Sequence, residues 1–387
     1  MIYEIQSLPK RGDVVLVGLS GGIDSTLTAV MLKEAGCKVI GVTMSLWDSR
    51  FPKIDSKKEY CFDANESMSI DDCRAFCKKY DIEYHVVDLH EEYRKNVLEY
   101  FKAEYRAGRT PNPCIRCNST MKFGTMLSSV EKLGVDYDYF CTGHYAKIVK
   151  PTEGLFGTEN RPYMVASASD ASKDQSYFLY RIPSSVLEKV RFPLADISKK
   201  EVFEFAKKNN LFSEKYTESQ DFIDPQYFDI LFADQPFAEG DIVDLDGKVL
   251  GRHKGIEHYT IGQRKGLGVA LSYPVYVHSI DAERNRVVLA PIEALRSSSF
   301  IIDDSVWAGG VEPQSAFEAR VKIRLAGGLH NAKVEETKSS QPDNDKSWRI
   351  TFDEPQTAVT PGQSAVIYDG DVIVGGGVIA KVENHYA

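Results

Sequence analysis

The sequence lacks the features that would assign the chain to a membrane or to the secretory pathway. No apolar run approaches the length of about 20 residues that a helix needs to cross a bilayer. The N-terminus shows no basic region followed by an apolar core, so no secretory signal is visible. A cytoplasmic location is therefore expected. The 387 residues, of which 43% are hydrophobic, are expected to form two or three globular domains.

A disulfide framework is also disfavoured, because the cysteines are odd in number and come without a secretory context. The seven cysteines are Cys37, Cys61, Cys73, Cys77, Cys114, Cys117 and Cys141. Redox, metal or sulfur chemistry is the better interpretation for any that cluster. Cys73 and Cys77 are spaced for one helix face, where two small buried side chains are the ordinary explanation.

The chain has no basic excess, since its net charge is −9. That balance argues mildly against a general nucleic-acid binder. Basic residues nevertheless concentrate around Cys114. They are Arg94, Lys95, Lys102, Arg106, Arg109, Arg116 and Lys122.

A glycine-rich turn near the N-terminus is the strongest signal for a ligand. The apolar run Val14–Val17 predicts a buried strand, and Thr26–Ala35 predicts a helix. The turn between them offers backbone N–H groups at a helix N-terminus, where an anion is favoured. It lacks the Lys of a Walker A loop and the third glycine of a dinucleotide fingerprint. The turn and its flanks comprise Gly18, Leu19, Ser20, Gly21, Gly22, Ile23, Asp24 and Ser25, with Asp24 suited to Mg²⁺ beside a pyrophosphate. The run Ser20–Ser25 resembles the pyrophosphate loop of the ATP pyrophosphatases, and that resemblance implies that these eight residues bind ATP.

Two further strands are expected to bring residues to the same edge of a parallel sheet. A βαβ unit is predicted from a second strand over 38–44, which ends at Met44. A strand over 137–141 ends just before Gly143 and His144. Ligands bind at the carboxyl ends of such strands, so Met44 is placed to touch adenine and Gly143 to let a nucleotide approach.

The segment 108–118 contains two prolines and a Cys-x-x-Cys pair, Cys114 and Cys117. The prolines predict an extended, exposed loop. Arg109 and Arg116 are expected to lower the thiol pKa values and so favour the reactive thiolates. A zinc knuckle would need a second pair at similar spacing, which the sequence does not contain.

The rest of the chain changes from helical to β patterns. Lys173 and Gln175 lie beside a predicted helix start and are suited to contact RNA or phosphate. In 317–324 the basic side chains alternate with Val321 and Ile323, which predicts a half-buried strand with a basic outer row. A small C-terminal β-barrel fits the final hundred or so residues.

Taken together, these motifs make the chain resemble the tRNA-specific 2-thiouridylases, which place sulfur at C2 of the wobble uridine. The shared segments are Ser20–Ser25, Thr110–Asn118, Thr142–Ala146, Lys173–Leu179, Tyr259–Gly268 and Pro361–Ala365. The resemblance implies an α/β ATP pyrophosphatase domain with a parallel sheet (1–213), a small central domain (214–282) and a C-terminal β-barrel (283–387). It also implies ATP and Mg²⁺ as cofactors, tRNA as substrate, and a sulfur donor that is a cysteine desulfurase, a relay protein or sulfide.

The resemblance also implies roles for individual residues. Cys117 corresponds to the nucleophilic cysteine. The target base would be bordered by Asn112, Pro113 and Cys114. The tRNA would be contacted by His144, Lys173, Asp174, Gln175, Lys322, Arg324 and Gln363.

One position departs from the family. In the run Ser219-Gln220-Asp221-Phe222-Ile223-Asp224, Ile223 stands where the family has its second cysteine, which carries a persulfide. Two sulfur routes remain open. In one, Cys117 carries the persulfide and Cys114 resolves it. In the other, a [4Fe–4S] cluster is held by Cys114, Cys117 and a third cysteine, for which Cys141 is favoured over Cys61, Cys73 and Cys77.

Two other functions remain open at this stage. A degenerate homologue would bind tRNA and ATP without thiolating, because the second cysteine is missing. Another ATP pyrophosphatase would act on a small-molecule carboxylate or carbonyl, although the proline-rich loop and the barrel disfavour it. A tRNA-binding assay separates the small-molecule enzyme from the others.

Overall fold

A computed structural model describes residues 1–54, 60–62, 64–209, 211, 222–338 and 346–385. Side chains are described up to residue 383. The helices are α1 (Ile23–Glu34), α2 (Glu66–Lys79), α3 (His90–Tyr93), α4 (Glu99–Arg106), α5 (Pro113–Arg116), α6 (Met126–Lys132), α7 (Ser184–Leu187), α8 (Lys199–Lys208) and α9 (Pro225–Leu231). Wider helical turns, with i→i+5 spacing, span Arg94–Leu98 and Cys117–Thr125.

The strands follow the same chain order. They are β1 (Tyr3–Ile5), β2 (Val14–Gly18), β3 (Lys38–Ser45), β4 (Glu83–Asp88), β5 (Tyr139–Cys141), β6 (Ala146–Pro151), β7 (Met164–Ser167), β8 (Val190–Arg191), β9 (Gly240–Val243), β10 (Val249–His253), β11 (Tyr276–Asp281), β12 (Arg286–Ala290), β13 (Arg296–Trp307), β14 (Phe317–Lys322), β15 (His330–Thr337), β16 (Ser347–Thr357), β17 (Ser364–Asp369) and β18 (Val372–His385). Among the described residues no helix is long and apolar enough to cross a membrane.

The chain divides into two compact units. The first contains Met1–Val97, Cys114–Ile230 and Asp371–Ile373, and the second contains Leu98–Pro113, Leu231–Gly370 and the chain from Val374.

The first unit is built on a parallel sheet in the order β4-β3-β2-β5-β8. Its central strand, β2, is rich in β-branched residues and is buried because helices cover both faces of such sheets. The chain leaves β2 for β3 on one side, and β5 lies on the other, so the strand order switches direction between β2 and β5. Ligands bind beyond the carboxyl ends of the strands at such a switch point. The predicted parallel sheet is confirmed.

One hydrophobic cluster of this unit packs β2, β3 and α2 together. It contains Val15, Val17, Leu19, Ala29, Leu32, Cys37, Val39, Cys73, Cys77, Ile82 and Cys141. Cys73 and Cys77 are therefore buried core side chains, as their spacing on α2 predicts. Burial of the Cys77 side chain raises its pKa to about 12.

The second unit contains a four-stranded sheet and a closed barrel. The sheet has the order β10-β9-β12-β11, and the barrel is closed by six strands in the order β18-β13-β16-β15-β14-β17, with β17 pairing back to β18. Closure leaves no free sheet edge, which removes a site for unwanted strand pairing. The predicted C-terminal barrel is confirmed.

The hairpin β11–β12 crosses the boundary that the sequence placed at 282/283. Arg286 pairs with Asp281 across the turn, and Val287 pairs with Ile242 of β9, so β12 is an inner strand of the four-stranded sheet. That sheet therefore continues through Ala290. The boundary at 213/214 lies outside the described residues and stays a prediction.

Candidate active site

The glycine-rich turn between β2 and α1 is held open by its own serines. Ser25 Oγ donates to Gly22 O at 2.9 Å and accepts from Ser20 N at 3.2 Å, and Gly22 N donates to Ser20 Oγ at 3.3 Å. Gly21 has a φ of 78°, a conformation that favours glycine. No side chain caps α1, because its N-cap is Gly22. The first N–H groups of a twelve-residue helix thus point out of a short, internally bonded turn, as in an anion site.

Leu19 and Ile23, both predicted to bind ATP, are core residues whose backbones alone belong to the turn. Leu19 is 5% exposed and Ile23 4% exposed. Leu19 N donates to Val42 O at 2.8 Å, and Thr43 Oγ1 donates to Leu19 O at 2.9 Å. These contacts fasten the turn to β3, which ends near Met44.

Asp24 is already paired with a cation. Lys199 Nζ lies 2.9 Å from Asp24 Oδ1 and 3.0 Å from Oδ2, and the Tyr145 hydroxyl donates to Oδ1 at 2.8 Å. Lys199 opens α8, whose start is fixed by a capping box between Ser198 and Glu201. The carboxylate has the oxygen atoms that Mg²⁺ prefers, and here it is paired with Lys199. The ATP and Mg²⁺ contacts expected of Asp24 stay predictions.

Gly143 meets the start of α1 rather than open space. A Cβ at this position would lie 2.6 Å from Asp24 C and 2.8 Å from Ser25 N. Only glycine therefore lets the loop after β5 pack against the first turn of α1. The nucleotide contact expected of Gly143 stays a prediction, whereas its packing role follows from the geometry.

His144 is held between aromatic rings. Its Nδ1 and Thr142 Oγ1 are 2.7 Å apart, and its ring centroid lies 5.9 Å from that of Phe123 and 5.8 Å from that of Phe192. Burial, with a smaller contribution from the Lys122 charge, lowers the His144 pKa well below its ordinary value. His144 is therefore a neutral imidazole at physiological pH, suited to hydrogen bonding but not to charge pairing with phosphate.

Asp174 and Gln175 hold the turn before a short helix. Asp174 Oδ1 accepts from Ala168 N at 3.0 Å and Oδ2 from Ser176 Oγ at 2.8 Å. Gln175 Oε1 accepts from Tyr145 N at 3.1 Å, while Gln175 N donates to Tyr145 O at 2.9 Å. These contacts fix loop geometry beside the residue that binds Asp24. The tRNA contacts expected of Lys173, Asp174 and Gln175 stay predictions.

Cys114 and Cys117 lie on a helix and are half-buried, so the expected exposed loop is wrong. Pro113 opens this helix, where a proline needs no N–H partner. Burial, with the charges of Cys61 and then Cys117, raises the Cys114 pKa to about 12, and Lys122 opposes the rise. Burial also raises the Cys117 pKa to about 11, again opposed by Lys122.

The two arginines expected to activate these thiols bind elsewhere. Arg109 forms a bidentate pair with Glu104 at 2.6 and 2.8 Å, and Arg116 Nε donates to Asn96 O at 3.1 Å. The cation that favours the thiolates is Lys122. It lies C-terminal to Cys117 in the same helical segment, and its charge also reaches His144.

A third cysteine, Cys61, shares this environment. The charge of Cys61 acts on both Cys114 and Cys117. All three thiols act on the hydroxyl of Tyr93, whose pKa is raised above its ordinary value, mainly by full burial. Cys61 is exposed, unlike its two partners.

Cys141, the favoured third ligand, is placed elsewhere. It is fully buried in the hydrophobic cluster with Val15, Val17 and Cys37, because β5 is an inner strand of the parallel sheet. The thiol placed with Cys114 and Cys117 is Cys61 instead. Among the described residues, no group of three or more His, Cys, Asp or Glu side chains is arranged to hold a metal ion.

Ile223, which the sequence analysis expects to stand where the family has its second cysteine, pairs with the segment that carries Cys61. Phe62 and Ile223 form a parallel β-bridge, and Phe62 N donates to Phe222 O at 3.1 Å. Ile223 is 9% exposed and packs as a core residue. Ser219, Gln220 and Asp221, which precede it in the same run, lie outside the described residues.

In the second unit, Gln363 holds the proline-rich segment in place. Its Nε2 donates to Thr110 O at 3.1 Å and to Pro111 O at 2.9 Å, and Thr110 N donates to Pro361 O at 2.9 Å. Asn112 N donates to the Tyr100 hydroxyl at 3.3 Å. The tRNA contact expected of Gln363 stays a prediction, and the structure adds a positioning role.

The basic row of β14 has the predicted alternation. Val321 and Ile323 are buried, whereas Arg320 and Arg324 are exposed and Lys322 is half-buried. β14 ends at Lys322, so Ile323 and Arg324 follow the strand, and Glu318 is exposed on the same row as Arg320 and Lys322. Contact of Lys322 and Arg324 with tRNA stays a prediction.

Comparison with known families accounts for nearly the whole chain. Family models match in three consecutive stretches: a tRNA methyl transferase HUP domain at residues 13–223, a tRNA methyl transferase PRC-barrel domain at 229–291 and an aminomethyltransferase β-barrel domain at 297–379. A tRNA-specific 2-thiouridylase MnmA from Endomicrobium trichonymphae is 41% identical over 367 residues, covering 94% of this chain and 98% of that protein. The chain belongs to the tRNA-specific 2-thiouridylase family.

Other 2-thiouridylases match over a similar extent. The enzyme of the same name from Chloroflexus aggregans is 39% identical over 95% of this chain and 99% of that protein, and the one from Carboxydothermus hydrogenoformans is 39% identical over 95% and 97%. Among solved structures, the U34-tRNA thiolase NcsA from Methanococcus maripaludis with its [4Fe-4S] cluster is 23% identical, with a TM-score of 0.32. It covers 54% of this chain and 61% of that chain.

The sequence did not predict the roles of Tyr93 and Lys199 or the placement of Cys61. Lys122 belongs to the basic run around Cys114, but its action on the thiols was not predicted. Lys122 follows Cys117 by five residues, and that spacing within one helical segment could have drawn attention to it. Tyr93, Lys199 and Cys61 come from distant parts of the chain and carry no local signal.

Proposed function

We propose that this chain transfers sulfur to C2 of the wobble uridine of tRNA in an ATP-dependent reaction, as a tRNA sulfurtransferase. The observation that carries the proposal is the combination of family membership over almost the full length with an intact glycine-rich turn at the switch point of the parallel sheet. A degenerate homologue or a small-molecule enzyme is not favoured by that full-length match.

The first step needs a phosphate site, and the turn supplies one. The N–H groups at the start of α1 bind the pyrophosphate of ATP. ATP then adenylates O2 of the uridine, which turns a poor leaving group into AMP. Mg²⁺, when bound with ATP, neutralises pyrophosphate charge. Lys199, which pairs with Asp24 at the start of α1, places a further positive charge beside this turn.

The second step needs a sulfur nucleophile, and Cys117 is the residue that matches the family's nucleophilic cysteine. The Lys122 charge favours the Cys117 thiolate, whereas burial disfavours it more strongly. The protonated thiol of Cys117 therefore predominates at neutral pH. A sulfur atom attacks C2 and AMP leaves. The sulfur comes from a persulfide-bearing protein, such as a cysteine desulfurase or a relay protein, or from sulfide.

The proposal is tested by incubating the purified chain with unmodified tRNA, ATP and a persulfide donor. We expect AMP and pyrophosphate to form, and the wobble nucleoside to exchange one oxygen for sulfur by mass spectrometry. Ser25→Ala removes the hydroxyl that closes the turn and should lower both yields, whereas Ser128→Ala, at an exposed helix position, should lower neither. The absence of tRNA-dependent AMP formation in the wild-type chain would refute the proposal.

A further inference from the structure

Position 223 carries an isoleucine where the resemblance implies a cysteine, and Cys61 directly precedes the residue that pairs with that position. Phe62 pairs with Ile223 in a parallel bridge. Paired strands lie about 4.8 Å apart, and the neighbour of Phe62 along the chain is Cys61. The thiol of Cys61 therefore comes from the segment paired with the one in which the family carries its second cysteine.

The segment that carries Cys61 is firmly anchored. The Phe62 ring is 1% exposed, its centroid lies 4.9 Å from that of Trp47, and it stacks on Tyr93 at 5.9 Å with an interplanar angle of 16°. Tyr93 is itself buried. An aromatic stack thus joins the neighbour of Cys61 to Tyr93, whose hydroxyl interacts electrostatically with all three thiols.

Exposure divides the three thiols into two kinds. Cys61 is exposed, whereas Cys114 and Cys117 are half-buried. A donor protein that hands over sulfur needs an accessible thiolate, because transfer proceeds by direct attack of one sulfur on another. The exposed thiol is suited to receive sulfur, and the half-buried pair is suited to act on a substrate that is shielded from water.

Building on the proposed function, we propose that Cys61 carries the transferred sulfur in place of the cysteine missing at position 223, with Cys117 as its partner. The Cys61 thiolate takes the terminal sulfur of a donor persulfide, and the donor leaves as a thiolate. The terminal sulfur of the Cys61 persulfide then attacks C2 of the adenylated uridine, and AMP departs. No net oxidation has occurred at this point.

The Cys117 thiolate next attacks the Cys61 Sγ. The S–S bond to the uridine breaks, and its electron pair leaves with the sulfur that becomes 2-thiouridine. The two protein sulfurs are joined as a Cys61–Cys117 disulfide. An external dithiol reductant returns both to thiols before the next cycle.

The experiment uses the full chain with tRNA, ATP and a persulfide donor, first without and then with a dithiol reductant. Non-reduced peptide mapping after a single turnover is the main readout, with AMP release measured in parallel. Cys61→Ser is compared with Cys37→Ser, which makes the same chemical change at a core cysteine. The rescue variant combines Cys61→Ser with Ile223→Cys.

We expect the Cys61–Cys117 peptide in the wild-type chain and in Cys37→Ser. Cys61→Ser should lose thiolation at least about a hundredfold, as when a nucleophile is removed, while first-turnover pyrophosphate release, measured in the same reactions, persists. The added Ile223→Cys should restore a disulfide to Cys117. Persistent thiolation in Cys61→Ser would overturn the inference. So would about four irons per chain after anaerobic purification that are lost in Cys61→Ser, because the thiols would then be cluster ligands. Failure of AMP release in the wild type would refute the proposed function instead.

Discussion

The glycine-rich turn between β2 and α1 and the cysteine site around Cys114 and Cys117 belong to the same unit but are built in opposite ways. The turn is local, since its hydrogen bonds join Ser20, Gly22 and Ser25. The cysteine site draws Cys61, Tyr93 and Lys122 from separate segments and depends on their packing. A local motif can be recognised from its amino-acid sequence. A site assembled by packing can instead recruit a residue from another segment when one of its residues is replaced.

The comparison would be sharpened most by Cys117→Ser. If the cysteine site does only sulfur chemistry, thiolation should fall about a thousandfold or more, the order seen when a nucleophile is removed. Pyrophosphate release should persist in the first turnover, because adenylation depends on the glycine-rich turn, which is intact. Quantifying both products with the same tRNA checks this. Joint loss of the two activities, with normal folding by circular dichroism, would contradict the separation.

Gly143→Ala is expected to impair both steps of the reaction, unlike Cys117→Ser. Its Cβ would lie 2.6 Å from Asp24 C, so α1 or the loop must shift. We expect the free energy of unfolding to fall by about 1–3 kcal/mol, as in overpacked cores. AMP release and thiolation should fall together, because the turn serves both.

Denaturant titration and the product assay measure these two effects. Gly328→Ala is the matched control, since the nearest atoms to its Cβ would be His330 ring atoms at 3.8 Å. An unchanged unfolding midpoint for Gly143→Ala would show that the close contact is relieved without cost.

Lys199→Met tests the ion pair that holds Asp24. Both side chains are partly shielded, at 14% and 28% exposure. Removing the lysine leaves a carboxylate with one remaining partner, Tyr145. We expect kcat/KM for ATP to fall about 5- to 30-fold, the factor that corresponds to one or two kcal/mol. Steady-state kinetics with ATP varied provide the measurement. Lys200→Met, whose side chain is 85% exposed, should have no effect.

The pH dependence of Cys117 alkylation tests the electrostatics of the cysteine site. Because burial raises the Cys117 pKa to about 11, the alkylation rate should still be rising well above pH 9. Lys122 stabilises the thiolate, so Lys122→Met should move the profile to higher pH and lower the rate at pH 8 several-fold. Mass spectrometry of the iodoacetamide-treated peptide gives the rate. A profile that levels off near pH 9 would contradict the burial.

The smallest effect is expected of Gln363→Leu in the second unit. Two hydrogen bonds to Thr110 O and Pro111 O are lost, each worth about 1 kcal/mol. The unfolding midpoint should fall slightly and the KM for tRNA should rise a few-fold, with kcat nearly unchanged. Gln356→Leu, whose side chain bonds only Glu354 O nearby, is the control. A large fall in kcat would mean that Gln363 does more than position the segment.

Much of this protein could be predicted from short segments. The strand–turn–helix at 14–34 follows from an apolar run, two glycines and helix periodicity, and the alternation in β14 follows from the period of a strand. Cys141 was expected beside Cys114 and Cys117 because it ends a strand near the glycine-rich turn. Its side chain is instead buried in the hydrophobic core of the sheet. Arg109 and Arg116 were expected to lower the thiol pKa values. They instead bind the Glu104 carboxylate and the Asn96 carbonyl, respectively.

The sequence by itself determined the family, the parallel sheet, the barrel and the glycine-rich turn, because each depends on periodicity or on residues close together in the chain. Only the tertiary structure decided which cysteine joins Cys114 and Cys117, which cation acts on them, and that Asp24 pairs with Lys199. Those contacts span tens to more than a hundred residues. No local pattern specifies them, because they exist only after the helices and strands have packed.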